Sequence, residues 1–202
     1  MERAYSVNNV IDAKYKTLEL EGKWKEAIGI PEPSGSWFIY GPSKNGKTSF
    51  AMLLVKYLSK FRRAAYNSIE EGFSLSIKMA MKRVNMIEAG GKLVLVKKET
   101  EELIEYLSKH KSPEIIVIDS VQFMELTFKE YKKIKAMFPN KLFIYISHVE
   151  GRQPEGLTAR KILRDSGVVF RIEGFKAFPV SRFGGGEPVV ISEDKASEYC
   201  GT

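Results

Sequence analysis

A glycine-rich octapeptide in the first quarter of the chain has the residue types of a triphosphate-binding loop. Residues 41–48 read GPSKNGKT and fit the pattern G-x-x-x-x-G-K-[ST]. In such a loop, glycine torsions let successive N–H groups face an anion, a lysine reaches the β- and γ-phosphates, and a hydroxyl ligates Mg²⁺. The sequence therefore predicts a nucleoside triphosphate and Mg²⁺ as ligands, with Lys47 at the phosphates and Thr48 at the metal. The predicted nucleotide-binding residues are Gly41, Pro42, Ser43, Lys44, Asn45, Gly46, Lys47, Thr48 and Ser49.

The segments around this loop are those that phosphate binding requires. The apolar run Trp37–Tyr40 predicts a buried strand before the loop, and Ser49–Leu58 predicts a helix after it. A helix N-terminus has unpaired N–H groups and partial positive charge, so it attracts phosphate. The alternative is an ordinary glycine-rich turn, and the strand and helix on either side argue against it.

A second apolar run ends in a carboxylate. The run Ile115–Ile118 predicts the most apolar strand of the chain, and Asp119 follows it directly. In a parallel sheet this strand delivers Asp119 to the carboxyl edge, where the phosphate loop also lies. Asp119 is therefore the predicted partner of Thr48 in holding Mg²⁺.

Two further carboxylates follow the predicted strand Ala64–Ile69. Glu70 and Glu71 would lie at the same edge of the sheet, where a carboxylate can align or deprotonate a water that attacks the γ-phosphate. The alternative is a solvated helix cap, because glutamate is common in first turns.

His148 follows the predicted strand Leu142–Ile146 and is another candidate for this edge. It could contact the γ-phosphate and relay its presence to the loop Val149–Thr158. A histidine with only a local hydrogen bond explains the position equally well.

Composition limits the classes of protein that fit. The 202 residues suit one domain, the hydrophobic fraction of 44% and charged fraction of 28% are those of a globular protein, and no apolar run reaches the length of a membrane span. The N-terminus lacks a signal-peptide core, and Cys200 is the only cysteine, so we expect a reducing, cytoplasmic setting and no membrane association. A net charge of +7 permits a polyanionic partner but also fits solvated surface lysines.

Apolar runs alternate with helical patterns along most of the chain. This alternation predicts an α/β fold with a mostly parallel sheet covered by helices on both faces. The segments 168–173, 177–182 and 188–192 predict antiparallel strands at the C-terminal end of the sheet. The remaining predicted elements are helices at 75–84, 99–109 and 128–138 and a strand at 92–96.

The first 35 residues predict an arm, and residues 36–202 predict the core domain. Two apolar stripes with helical spacing lie in the arm. They consist of Val10, Ile11, Tyr15 and Leu18, and of Trp24 and Ile28. The arm either closes over its own core or packs on a neighbouring subunit.

Taken in order, these motifs resemble those of the RecA-like P-loop ATPases, especially the DnaB-type helicase core and its RadA and KaiC relatives. The resemblance spans residues 30–192, and only the phosphate loop is sharply specific. The other segments that resemble the family are Tyr66–Glu71, Val117–Met124, Ile146–His148, Leu163–Gly167 and Val180–Gly184.

The resemblance implies roles for several residues. It favours Glu70 over Glu71 as the residue that activates water, makes His148 a γ-phosphate sensor, and directs Arg182 to the γ-phosphate of a neighbouring subunit in a ring or filament. Val180 stands where the family usually has lysine, so half of that trans-acting pair is missing. Cations in and after the loop at 149–158 would face single-stranded DNA: Arg152, Arg160, Lys161 and Arg164.

The expected function is Mg²⁺-dependent ATP hydrolysis by an enzyme that acts on single-stranded DNA as a helicase, recombinase or annealing protein. The short arm favours a core-only recombinase of the phage type over a replicative helicase. One alternative is a KaiC-like, ring-forming signalling or scaffold ATPase without nucleic acid. A P-loop kinase of small molecules is a third possibility.

Overall fold

The apolar runs of the sequence form the centre of an eight-stranded sheet. The computed structural model describes residues 4–199, and Cys200 lies outside them. The strands are β1 (Gly35–Tyr40), β2 (Ala64–Ser68), β3 (Leu93–Val96), β4 (Ile115–Asp119), β5 (Leu142–Ser147), β6 (Val149–Glu150), β7 (Gln153–Pro154), β8 (Val168–Glu173), β9 (Lys176–Ser181) and β10 (Val189–Val190). The helices are α1 (Val7–Ile11), α2 (Gly22–Ile28), α3 (Lys47–Leu58), α4 (Leu75–Arg83), α5 (Thr100–Ser108), α6 (Phe128–Met137), α7 (Leu157–Asp165) and α8 (Glu193–Glu198), with a 3₁₀ segment at Met86–Lys92.

The strand order is β10-β9-β8-β1-β5-β4-β2-β3. The six strands from β8 to β3 are parallel, and β9 and β10 are antiparallel to their neighbours. The predicted fold class is therefore confirmed, with one adjustment. Segment 168–173 was predicted with the antiparallel strands, yet β8 pairs in parallel with β1, because α7 returns the chain to the amino end of β1 before β8 begins.

Side chains of the central strands alternate between two apolar layers. Trp37 and Ile39 of β1 pack on the α3 side, whereas Phe38 packs on the side of α5, α6 and α7. This alternation follows from the two-residue period of a strand. Both faces are covered, as a parallel sheet requires, and the carboxyl ends of β1, β2, β4 and β5 are left at one edge.

The N-terminal arm divides into two parts. Its second part packs on the core, where Trp24 stacks on Tyr57 with ring centroids 5.5 Å apart and Ile28 is fully buried. Its first part includes α1, none of whose residues is buried. The exposed apolar side chains there are Tyr5, Val7, Val10, Ile11 and Tyr15.

The segment after β5 has more structure than the loop predicted at Val149–Thr158. It forms the hairpin β6–β7, with Gly151 and Arg152 in its turn, and α7 begins at Leu157. Within residues 4–199, none of the helices combines the length and apolarity needed to cross a lipid bilayer.

Candidate nucleotide-binding site

The loop between β1 and α3 has the backbone of a phosphate-binding turn. Gly46 lies at the N-cap of α3 with φ +99°, a torsion that glycine adopts without strain, and Lys44 is also left-handed with φ 62°. Gly41 is required for a different reason. A Cβ at position 41 would lie 2.1 Å from the carbonyl oxygen of Ile172, so only glycine allows β8 to approach the loop this closely.

Lys47 folds back over the loop that it follows. Its Nζ donates to the carbonyl oxygens of Gly41, at 2.8 Å, and Pro42, at 2.9 Å. Burial lowers the pKa of Lys47, while the charges of Asp119 and Glu70 oppose that shift. The ammonium group is therefore buried at the mouth of the loop, facing two carboxylates across the sheet edge.

Asp119 is buried at the end of β4, where the hydroxyl of Tyr66 donates to its Oδ2 at 2.5 Å. Burial raises the pKa of Asp119 to about 6, against the opposing effect of the Tyr66 hydrogen bond. The tyrosine fixes one carboxylate oxygen, which leaves the other to accept a ligand. Tyr66 is a site residue that sequence reasoning did not single out.

The donor atoms around Asp119 fit a magnesium ion. Ser68 pairs in register with Asp119, and its buried hydroxyl finds no hydrogen-bond partner among the described residues. The Asp119 carboxylate and the hydroxyl of Thr48, at the start of α3, both line the cleft and offer two oxygen ligands. Residues 4–199 contain no cluster of three or more His, Cys, Asp or Glu suited to a metal. A single carboxylate with a nearby hydroxyl matches Mg²⁺, which is usually held by one or two carboxylates together with substrate phosphates and waters.

Glu70 and His148 contact each other across the same edge. His148 Nε2 lies 2.9 Å from Glu70 Oε2. This hydrogen bond lowers the pKa of Glu70 and raises that of His148. Burial raises the pKa of the adjacent Glu71, and the charge of Glu70 adds to that effect. The histidine therefore keeps Glu70 ionised, and of the two acids only Glu70 has this partner.

One cleft of about 680 Å³ is lined by Lys47, Thr48, Glu70, Glu71, Asp119 and His148. It also has a wall that the sequence did not reveal. Phe175, Ile191 and Lys195 form this wall, with Lys195 Nζ 5.0 Å from the centre of the Phe175 ring. A Cβ at Gly46 would lie 3.1 Å from the Phe175 ring, so the wall adjoins the phosphate loop.

Asn45 fastens this wall to the loop. Its Oδ1 accepts from the N–H of Gly174 at 2.8 Å, across 129 positions of sequence. The contact joins the turn between β8 and β9 to the phosphate loop. No local pattern could have predicted it, since only the sheet order brings the two turns together.

Comparison with known proteins bears on the fold. The sequence matches no protein-family model and no curated protein. The solved structure of the flagellar accessory protein FlaH from Methanocaldococcus jannaschii is similar, with a TM-score of 0.61 at 17% identity over 86% of this chain and 92% of FlaH. The RadB recombinase is also similar, with a TM-score of 0.51 at 21% identity over 82% of this chain and 90% of RadB. The chain has the RecA-like fold.

Arg182 lies away from the nucleotide cleft of its own RecA-like core. It follows β9, whose antiparallel course ends opposite Val168, at the amino edge of the parallel strands. Its Nη2 donates to the carbonyl oxygen of Arg164 at 3.0 Å. The structure thus does not bring Arg182 together with Lys47 and Asp119 within one subunit.

The four cations predicted to face DNA are spread along α7 and the hairpin. Arg152 is exposed in the hairpin turn, and Arg160 binds back to the hairpin through Pro154 O and the Glu150 carboxylate. Lys161 lies 5.0 Å from the centre of the Phe128 ring, and Arg164 is beside Arg182 at the far edge. Only Arg152 and Arg160 lie together at the hairpin.

Proposed function

We propose that this protein hydrolyses ATP in a Mg²⁺-dependent reaction and acts on single-stranded DNA. The observation that carries the ATPase proposal is the convergence of Lys47, Thr48, Asp119 and Glu70 on one cleft at the carboxyl edge of a RecA-like sheet. Each side chain there has the chemistry that phosphoryl transfer to water requires: a cation for phosphate, oxygen ligands for a metal, and a base for water.

Each residue of the cleft has a distinct role in the proposed reaction. Lys47 leaves its two carbonyl partners to bind the β- and γ-phosphates, and the amides of the loop bind the rest of the triphosphate tail. Thr48 and Asp119 would hold Mg²⁺, which would supply positive charge to neutralise the developing phosphate charge. Glu70 orients and deprotonates the attacking water, and His148 exchanges its contact with Glu70 for one with the γ-phosphate.

The aromatic wall of the cleft offers a surface against which the base of a nucleotide can pack. Phe175 offers a ring face and Ile191 an apolar side chain next to Gly46, where the base of a nucleotide bound to the loop would lie. Stacking on such a ring is compatible with every base. We therefore assign ATP on the resemblance to RecA-like ATPases and not on this wall.

The proposal of DNA binding rests on charge and on the hairpin. The net charge of +7 permits a polyanionic partner, and exposed Arg152 lies in a turn directly connected to His148. The likeness of the fold to RadB, a recombinase, supports recombination or annealing among the possible activities. The assembly that we propose is a homo-oligomer, ring or filament, in which the exposed first part of the arm packs on a neighbour and Arg182 completes the neighbour's cleft. Its proposed setting is the cytoplasm.

A ring-forming signalling or scaffold ATPase that does not bind nucleic acid is the second candidate. It is favoured by the likeness to FlaH, which is a flagellar accessory protein. Titration of ATP turnover with a single-stranded oligonucleotide separates the two functions. Stimulation that weakens steeply with salt supports the DNA proposal, because phosphate contacts release counterions. Turnover without stimulation or binding supports the second candidate, and absence of turnover in wild type rejects both.

A further inference from the structure

One amide side chain ties three segments together beside the nucleotide cleft. Gln122 lies in the turn after β4. Its Nε2 donates to Ser147 Oγ at 2.9 Å and to the carbonyl oxygen of Glu155 at 2.8 Å. Its Oε1 accepts from the backbone N–H of His148 at 3.3 Å. Both N–H groups of the amide and its oxygen therefore form hydrogen bonds. Their partners are Ser147 at the end of β5, and His148 and Glu155 at the two ends of the hairpin.

The hairpin is positioned by these contacts of Gln122 and by Arg160, which binds Pro154 O and the Glu150 carboxylate. It has only two residue pairs, Val149 with Pro154 and Glu150 with Gln153, and hairpins far longer than this are at best marginally stable alone. Its two ends meet where the N–H of Glu155 donates to the carbonyl oxygen of His148 at 3.0 Å. Gln122 holds both of these end residues, so it fixes where the turn with Arg152 lies relative to β4.

The same histidine reaches into the cleft. The backbone N–H of His148 is held by Gln122, while its ring bonds to Glu70. The ring also lies near Phe123, the residue after Gln122, with centroids 6.1 Å apart. The His148 ring is thus only three bonds (Cγ–Cβ, Cβ–Cα and Cα–N) from the backbone nitrogen whose hydrogen bond positions the hairpin.

We infer that Gln122 is a positioning residue that makes the order of the hairpin depend on nucleotide in the cleft. The inference rests on the proposed nucleotide binding. It adds that Gln122 connects the nucleotide-binding cleft to the hairpin. A purely structural role for Gln122 would stabilise the hairpin equally with and without nucleotide.

The experiment compares Gln122→Met with Gln153→Met by hydrogen–deuterium exchange. Methionine keeps the length of glutamine and removes all three hydrogen bonds, and Gln153 is an exposed glutamine on the hairpin itself. Exchange in a peptide covering 148–156 is measured with and without the non-hydrolysable analogue adenylyl imidodiphosphate and Mg²⁺. Thermal unfolding verifies that each variant folds, and Gln122→Glu, which keeps an oxygen acceptor but loses both donors, provides a second variant.

We expect wild type and Gln153→Met to exchange more slowly in 148–156 when the analogue is bound. In Gln122→Met, exchange without analogue should be on the order of tenfold faster than in wild type, since the net effect of its hydrogen bonds is lost. The analogue should still bind to this variant but no longer slow the exchange.

Two results overturn the inference. The first is a rate of exchange in 148–156 that is the same in both Gln122 variants as in wild type. The second is a rate of exchange in the wild-type hairpin that does not change when the analogue binds. Failure of the proposed function is distinguishable, because wild type would then show no analogue binding by calorimetry. Oligonucleotide titration of turnover adds an independent readout: Gln122→Met should raise the oligonucleotide concentration needed for half-maximal stimulation, whereas Gln153→Met should not.

Discussion

Asp119 ends β4 and Glu70 closely follows the neighbouring strand β2, yet their surroundings shift their pKa values in opposite directions. Burial raises the pKa of Asp119 to about 6, and the His148 hydrogen bond lowers that of Glu70. Burial destabilises the anion of Asp119, which a bound cation would offset, whereas His148 stabilises the anion of Glu70. This contrast fits a metal ligand beside a water-activating base, because pairs of acids with separated pKa values serve separate roles.

The raised pKa of Asp119 predicts a stability difference. The folded protein holds a proton on this group at pH values where the unfolded chain, with a pKa of 3.8, has released it. The stability contributed by this group is thus fully present below pH 3.8 and is lost as pH rises through about 6. Without ligands at pH 8, Asp119→Asn should raise the free energy of unfolding by roughly 1–3 kcal/mol, since it removes a buried charge and keeps an acceptor for Tyr66.

Urea unfolding in EDTA at several pH values checks this prediction. The excess in the free energy of unfolding of Asp119→Asn over wild type should shrink as pH falls toward 4. An excess that does not depend on pH would contradict the explanation. The same variant should lose Mg²⁺-dependent nucleotide turnover, which would separate its effect on function from its effect on stability.

Glu70→Gln should lower ATP turnover by about 10²–10⁴-fold, the usual contribution of a general base. Its dissociation constant for ATP should stay within a few-fold of wild type, because Lys47 and the loop amides still bind the phosphates. Single-turnover hydrolysis and fluorescent-nucleotide binding measure the two quantities. Glu71→Gln is the matched control, and a larger loss of turnover in that variant would transfer the role to Glu71.

Among the secondary-structure elements, the sequence predicted the strands of the eight-stranded sheet well but did not predict the hairpin β6–β7. A strand covered on both faces is a continuous apolar run, so β1, β2, β4 and β5 lie at the predicted positions. Helix α7 is strongly amphipathic and buries Ala159 and Ile162, but it was not predicted. The strands of the hairpin β6–β7 have two residues each and include Pro154, so they are too short to show a periodic pattern. Their structure depends on partners such as Gln122, which lie far away in sequence.

The candidate site divides in the same way. The phosphate loop and the strand-end acids were predicted because each is a local pattern. The Phe175 wall and the clamp from Asn45 to Gly174 could not be, because they depend on β8 lying next to β1. Gly41 shows the difference within one residue: the motif predicted its presence for torsional freedom, and the structure requires it for the approach of Ile172.

Gly41→Ala tests this packing of β8 against the loop. The new methyl group would overlap the Ile172 carbonyl, so the free energy of unfolding should fall by about 1–3 kcal/mol or more, with weaker nucleotide binding. Gly91→Ala is the control, because a Cβ there meets nothing within 4 Å and the residue does not have a positive φ. Equal unfolding free energies for the two variants would show that β8 moves away without cost.

At the scale of the whole molecule, the exposed part of the arm and the distance of Arg182 from its own cleft both favour assembly. Residues 4–15 expose five large apolar side chains, among them Ile11 at 74%. If α1 packs on a neighbour, Ile11→Asp should shift the protein toward monomer in size-exclusion chromatography with a bound ATP analogue. Lys14→Asp, a charge change on the same arm, is the control, and an unchanged elution of Ile11→Asp would contradict this role for the arm.

The position of Arg182 leads to a prediction about mixed subunits. The cleft lies at the carboxyl edge of the sheet and Arg182 at the amino edge, so a head-to-tail contact between copies is the arrangement that brings them together. Arg182→Ala alone should lose about 10³-fold or more in turnover, as removal of a trans-acting arginine does, and Lys47→Ala alone should not bind ATP productively.

When the two variants are mixed equally, about a quarter of randomly formed interfaces would combine an intact loop with an intact arginine. Turnover of the mixture should then rise well above the mean of the separate variants, in a manner that depends on protein concentration. A mixture no more active than that mean would place Arg182 outside the catalytic site of the neighbouring subunit, while leaving the roles of Lys47, Asp119 and Glu70 within one subunit intact.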